Sequence, residues 1–355
     1  MDASLKRQSV MQITIAATSY AAADAGPMRL LIVKTSSLGD IVHALPALSD
    51  AQRAVPNLRC DWLAERAFAE IPAWHPAVER VVSCDMRAWR QHLPRTIFGG
   101  EWSRFRDELR LHDYDLIIDA QGLVKSAWLA GRARGPLAGP NAGSAREPLA
   151  AWFYDRRYAV PRHDVAHAIA RTRSLLAQAL AYPLPQSGAD AGLRREQFTH
   201  PELNEPYVLL LHGTTWTGKR WPQSHWSQLA DWLSQHGLRP VLPWGNESER
   251  ADAATIAAAG QGLVLPRLSL SEMAGWIAYA RACVGVDTGL AHLAAAFGTP
   301  QVTLYGPTLP QLTGAIGANQ VWLRASDTDT IDRARSNDVA VARVQDALTE
   351  MLAAA

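Results

Sequence analysis

The chain has 355 residues, 48% hydrophobic and 19% charged, enough for one large core or, more naturally, two ordinary ones. A formal net charge of +1 argues against a nucleic-acid protein, and no apolar run reaches the roughly 18 residues of a membrane span. Three cysteines, Cys60, Cys84 and Cys283, without CxxC spacing or a Cys/His cluster, point to neither a disulfide framework nor structural zinc, and suit a reducing cytoplasm.

Residues 1–27 read as a disordered extension. Lys6 and Arg7 precede an apolar stretch, Ile13 to Ala23, but Thr18, Ser19 and Tyr20 interrupt it, which disfavours a secretory signal. From Met28 the pattern alternates strand and helix. Residues 28–181 are expected to form a first Rossmann-like domain, with strands at Leu30–Val33, Leu58–Leu63, Val78–Ser83 and Asp115–Asp119 and helices at Ile41–Ala54 and Ser103–Leu111. The loop KTSSLGD, Lys34 to Asp40, follows the first strand. Asp40 either N-caps the helix from Ile41 or serves as a general base; backbone N–H groups at a helix start would lower its pKa. Lys34 either sets positive charge beside an anionic acceptor or snorkels at the strand end.

Residues 86–173 hold 15 Lys and Arg against 9 Asp and Glu, a basic region suited to an anionic partner. Trp74, Trp89, Trp102, Trp128 and Trp152 fall in this half; buried packing is expected for most, lipid contact for the remainder.

Residues 182–206, rich in Pro, Gly, Ala and charge, read as a linker. The pattern then repeats over residues 207–331, with strands at Tyr207–His212, Leu238–Pro243, Gly262–Pro266, Ala282–Asp287 and Gln301–Tyr305. After the first of these, HGTTWTGKRWP contains a match to G-x-x-x-x-G-K, but Arg220 stands where a nucleotide hydrolase needs Ser or Thr to hold magnesium. What survives is Thr214, Thr215 and Lys219, suited to a diphosphate without a metal. After the second, acidic residues are placed to accept ribose hydroxyls, Glu249 before Glu247, unless they merely open a helix. Asp287-Thr288-Gly289 joins the fourth strand to a helix whose first N–H groups favour an anion, though capping by Asp287 or Thr288 is the alternative. His292 lies four residues after Thr288, near the same helix face. Residues 332–355 read as an amphipathic closing helix, with Val339, Val341, Val344, Leu348 and Leu352 apolar, packing back toward the first domain.

Six motifs in this order, TSSLGD, DAQGLVKS (Asp119–Ser126), AREPLA (Ala145–Ala150), HGTTWTGKRWP, PWG and VDTGLAHLAAAFGTPQVTLYGPT, resemble the bacterial lipopolysaccharide heptosyltransferases, above all those adding the first heptose. The resemblance runs from Met28 to the C-terminus. It implies an α/β GT-B fold, two facing Rossmann-like domains with parallel sheets, acceptor domain first and nucleotide-sugar domain second. It also implies inverting transfer of L-glycero-D-manno-heptose from ADP-heptose to Kdo of Kdo2-lipid A. By motif, Asp40 matches the base; Thr214, Thr215, Lys219, Glu249, Asp287, Thr288, Gly289 and His292 match the donor site; Gln121, Lys125 and Arg146 are assigned, with Lys34, to the acceptor. No metal or other cofactor is expected, ADP-heptose being a substrate, and the protein is expected to be a monomer at the cytoplasmic face of the inner membrane.

Overall fold

Short apolar runs become buried parallel strands, because helices on both faces take their side chains out of water. In the computed structural model, which describes residues 27–91, 99–324 and 337–354, the first sheet contains β1 (Arg29–Val33), β2 (Arg59–Glu65), β3 (Val78–Cys84), β4 (Leu116–Asp119), β5 (Leu137–Pro140) and β6 (Arg156–Tyr158). The second contains β7 (Tyr207–Leu211), β8 (Arg239–Leu242), β9 (Leu263–Val264), β10 (Ala282–Val286), β11 (Gln301–Tyr305) and β12 (Gln320–Arg324). Of the expected N-terminal extension, residues 1–26 lie outside the described residues, as do 332–336 and 355 of the closing segment.

Both sheets have one topology. Their orders, β3-β2-β1-β4-β5-β6 and β12-β11-β10-β7-β8-β9, reverse between β1 and β4 and between β7 and β10. At such a reversal the following connections diverge, leaving a crevice beyond the strand ends. Residues 34–40 and 119–126 therefore meet at one crevice, and residues 212–222 and 287–292 at the other. The α/β architecture with two parallel sheets is as expected. β5, β6 and β12 are additional to the expected strands: LAGP and RRY are too short and too rich in Gly, Pro or charge to read as strands.

One apolar layer lies between the sheets. Ile32, Leu48 and Trp62 from the first half join Leu209, Ile277 and Leu293 from the second in a continuous buried cluster. The segment 182–206 contributes Leu193 and Phe198 to it, so the expected linker is packed along part of its length. Phe198 sits edge-on to Trp74 and Phe297, at ring distances of 5.1 and 5.2 Å. The closing helix, Val341–Ala354, departs from expectation. Val344 and Leu348 are fully buried in the outer cluster of the second sheet, so the helix covers that sheet and does not return to the first. Its apolar stripe fits the surface left by Leu229, Leu233 and Val302.

The helix expected over Ile41–Ala54 is two helices, Leu38–Val42 and Leu45–Ala54, since Pro46 cannot donate into a preceding turn. The first runs straight into the second half. A Cβ on Gly39 would lie 2.4 Å from the His292 ring, and one on Gly289 would lie 2.8 Å from Leu38. Both positions need glycine for want of room. Gly39→Ala is expected to force the halves apart locally, cost about 1–3 kcal/mol as an overpacked contact does, and lower the melting temperature measured by calorimetry.

Candidate active site

At the first crevice the end of β1 is fixed by Trp62, whose indole N–H donates to the Lys34 carbonyl at 3.1 Å, and by the Thr35 N–H, which donates to Gln121 Oε1 at 3.2 Å. Asp40 is not an N-cap. Ser37 holds that position, and Asp40, three residues on, accepts the Ser37 N–H and hydroxyl at 3.0 and 3.1 Å. Burial works against its charge, but Lys34, with Nζ 3.8 Å from Oδ1, and the two Ser37 bonds outweigh it and hold the carboxyl below its ordinary value. The expected direction stands, produced from the N3 position of a capping box. Burial pushes the Lys34 ammonium down, with Asp40 opposing.

Lys34, Asp40, Gln121, Arg146 and Arg171 share one polar cavity of about 50 Å³. Arg171, on the helix Ala168–Ala179, carried no sequence signal. Lys125 is exposed on the helix Val124–Ala130 and does not line this cavity. Asp119 is wholly buried, and burial raises its pKa. It accepts the Tyr154 and Ser126 hydroxyls at 2.7 and 2.8 Å and the Gln121 N–H at 2.9 Å, shaping the turn that presents Gln121.

The second crevice centres on Asp287. Lys219 Nζ donates to its Oδ2 at 2.7 Å and to its carbonyl at 3.0 Å, Thr308 donates to Oδ2 at 2.8 Å, and His292 Nε2 lies 3.4 Å from Oδ1. Burial opposes ionisation of this carboxyl, yet the His292 and Lys219 contacts hold it far below the usual range. Asp287, 4% exposed, thus organises the Lys219 ammonium and the His292 ring and is not a helix cap. Thr288 occupies the N-cap position of the helix Gly289–Phe297, but its hydroxyl makes no capping bond. An ammonium has three donors, so Lys219 keeps one for a ligand. It arrives on a one-turn 3-10 helix, Thr217–Lys219, and Arg220-Trp221-Pro222 separate it from the helix beginning at Gln223. A nucleotide hydrolase's phosphate loop would run directly into that helix; here the lysine folds back on Asp287. Asn337 anchors this loop by donating to the Lys219 carbonyl at 3.2 Å.

Thr214 accepts the Trp216 N–H at 3.3 Å, while Thr215 is exposed at the loop tip. Glu249 accepts the Gly245 N–H at 2.8 Å and lines a cavity of about 270 Å³. Glu247 turns away, 77% exposed and paired with Arg250. Pro243, Pro266, Leu268 and Met273 make much of that cavity apolar, and Thr288 and Leu38 close one side of it. The sequence reading missed this apolar pocket, although Pro243, Trp244 and Gly245 of the PWG motif line it.

The two crevices face one another. Gly39, next to Asp40 in the chain, meets His292, which in turn reaches Asp287. His43 stacks edge-on to both His292 and His167, at 4.4 and 5.1 Å. Burial drives the His43 ring well below its ordinary pKa and the His167 ring to about 4, so both are neutral at pH 7. Among the described residues, no cluster of His, Cys, Asp and Glu could hold a metal.

Comparison with known proteins places this geometry among relatives. Residues 102–340 match the model of glycosyltransferase family 9 (heptosyltransferase). The lipopolysaccharide heptosyltransferase 1 of Pseudomonas aeruginosa is 54% identical over 83% of this chain and 83% of its own length. That of Escherichia coli K12 is 44% identical over 86% of this chain and 96% of its own length. The structure of E. coli heptosyltransferase WaaC with ADP superposes with a TM-score of 0.85 at 41% identity, covering 91% of this chain and all of that one; with ADP-2-deoxy-2-fluoro heptose bound, that enzyme gives 0.81.

Asp287→Asn should strand Lys219 and His292 and destabilise the fold by about 3 kcal/mol in denaturant titrations. Because the native carboxyl titrates below its ordinary 3.8, its contribution is complete above that value and fades as pH falls through the native pKa. The deficit of Asp287→Asn is therefore expected to be largest near pH 7 and to shrink below about pH 4.

Proposed function

Because the chain belongs to glycosyltransferase family 9, the heptosyltransferases, we propose that its two facing crevices transfer L-glycero-D-manno-heptose from ADP-heptose, with inversion, to Kdo of Kdo2-lipid A. The observation that carries the assignment of roles is the facing of Asp40 and the Lys219–Asp287–His292 cluster across the Gly39 contact.

The nucleoside of the donor is assigned to the apolar cavity, with Glu249 accepting ribose hydroxyls at its edge. Thr214 and Thr215 border the pyrophosphate in this reading. The spare Lys219 donor and the first N–H groups of the helix Gly289–Phe297 attract its charge, which grows as ADP departs. His292 and Asp287 fix the position of that lysine and helix. The acceptor enters the polar cavity, where Lys34, Arg146 and Arg171 suit its carboxylate and phosphates and Gln121 offers an amide.

Asp40 then takes the proton from the attacking Kdo hydroxyl as its oxygen bonds to the anomeric carbon and the bond to the pyrophosphate oxygen breaks. Its low pKa makes it a weak base for a free alcohol, but the hydroxyl becomes acidic as the new bond forms. Charge on the leaving group is met by Lys219 and backbone amides, so the proposed chemistry calls for no metal. No helix among the described residues is long and apolar enough to cross a membrane; the protein is proposed to act as a monomer at the cytoplasmic face of the inner membrane.

Asp40→Ala is expected to lower transfer by at least about 10²-fold while leaving ADP-heptose affinity within about tenfold by calorimetric titration. Normal turnover by this variant would remove Asp40 as the base. In separate titrations, Lys219→Ala and Glu249→Ala should weaken the donor by about tenfold or more, whereas Arg146→Ala should raise KM for the acceptor alone. Turnover with Kdo2-lipid A but not with its heptosylated product identifies the first-heptose reaction; the reverse preference would overturn the assigned acceptor.

A further inference from the structure

Beside the polar cavity, two packed helices turn large apolar side chains to solvent. The 3-10 helix Pro148–Phe153 buries Ala150 and Ala151 and leaves Leu149 56%, Trp152 78% and Phe153 42% exposed. A 3-10 helix repeats every three residues, so Leu149 and Trp152 stand in one ridge. The helix Val124–Ala130 is tied to it through the Val124 N–H, which donates to the Glu147 carboxylate at 2.7 Å. That helix buries Ser126, Ala127, Leu129 and Ala130 and leaves Trp128 37% exposed, under the guanidinium of Arg132 at 4.4 Å. Scattered exposed apolar residues need no explanation, but a grouped set rimmed by charge marks an interaction surface.

The rim is predominantly basic. Residues 124–157 contain six Lys and Arg against two Asp and Glu. Both acids are engaged by backbone, Glu147 by Val124 and Asp155 by the Leu137 N–H at 2.8 Å, while Arg156 and Arg157 are exposed immediately after the ridge. Cations around projecting Trp, Phe and Leu match an anionic bilayer surface: the rings enter the headgroup level and the guanidinium groups remain with the phosphates. The surface is continuous with the proposed acceptor site, since Arg146, which lines the polar cavity, stands two residues before the helix Pro148–Phe153 that carries the ridge.

We propose that Leu149, Trp152 and Phe153, with Trp128 and the surrounding arginines, dock the protein on an anionic lipid surface so that an acceptor held in that surface reaches the Asp40 cavity. Its functional sense rests on the acceptor being a lipid; the binding itself does not. The test is co-sedimentation of the full chain with vesicles of phosphatidylcholine alone and with about 30% phosphatidylglycerol. Wild type is expected to partition to the anionic vesicles and to be released by salt. The double variant L149S/W152S should lose at least about tenfold in partition, and W152A alone should move the same way by less. Both should keep the wild-type melting temperature, because these side chains are exposed. Transfer to a deacylated, water-soluble Kdo acceptor should remain within about twofold of wild type, since the ridge is outside the reacting groups.

Wild type that ignores anionic vesicles, or variants that bind them as wild type does, would overturn the proposal. So would a lipid-free dimer, seen by sedimentation velocity, that L149S/W152S dissociates, because the ridge would then be covered by a second copy. Failure of wild type to turn over the soluble acceptor counts against the assigned reaction, and the vesicle result stands apart from it.

Discussion

A carboxylate buried at the end of β10 has to be paired with a cation or hydrogen-bond donors, and Asp287 meets that requirement by drawing together three elements: the Lys219 loop after β7, His292 on the following helix, and Thr308 after β11. A negative group beside the proposed pyrophosphate site is at first sight misplaced. Its neighbours resolve the difficulty. Without that carboxylate, a half-buried lysine would lose its ion pair and a buried histidine its polar contact at the helix start. With it, Lys219 is held at the helix start, and in the proposed reaction little reorganisation is left for the moment when charge develops.

The strands that frame both crevices were legible in the sequence because burial on two faces leaves an apolar run between polar loops, as in β1, β4, β7 and β10. Edge strands carry a weaker signature: β6 is three residues long and polar, and pairing with β5 alone makes it a strand. The start of the Asp40 helix was misplaced although Ser37 and Asp40 stand at capping-box spacing; the intervening Leu38-Gly39 suggests a loop until His292 supplies the reason for the glycine. The closing helix was recognised by its apolar stripe, which cannot say which sheet it will cover.

Site residues divide along the same line. Motifs led to Asp40, Glu249 and the Asp287 turn, each adjacent to a strand end. Arg171, His43 and Asn337 act from elements that only the tertiary fold brings near, and nothing local distinguishes them from ordinary helix or loop positions, whereas Thr308 closes the Asp287 motif but shows its bond to Asp287 only in the fold. Lys125 shows the converse, since it shares a motif with Gln121 but is exposed and does not line the cavity.

Hydrogen bonds across the halves lie away from the glycine contact. Ser271 donates its N–H and hydroxyl to Glu70 at 2.9 and 2.6 Å, the Trp74 indole donates to Ser271 at 3.1 Å, and His167 meets the Gly314 carbonyl at 3.0 Å. His167 Nδ1 accepts the Ile169 N–H, so the ring proton is on Nε2 and His167 is the donor. Between these links, Gly39 and Leu38 touch His292 and Gly289 without any hydrogen bond among the described residues. In mechanical terms the outer bonds are latches and the glycine contact is a stop. Repulsion limits approach but resists no separation, so the contact fixes how deeply the cleft can close, while the latches and the apolar layer shared by the two halves decide how readily it opens.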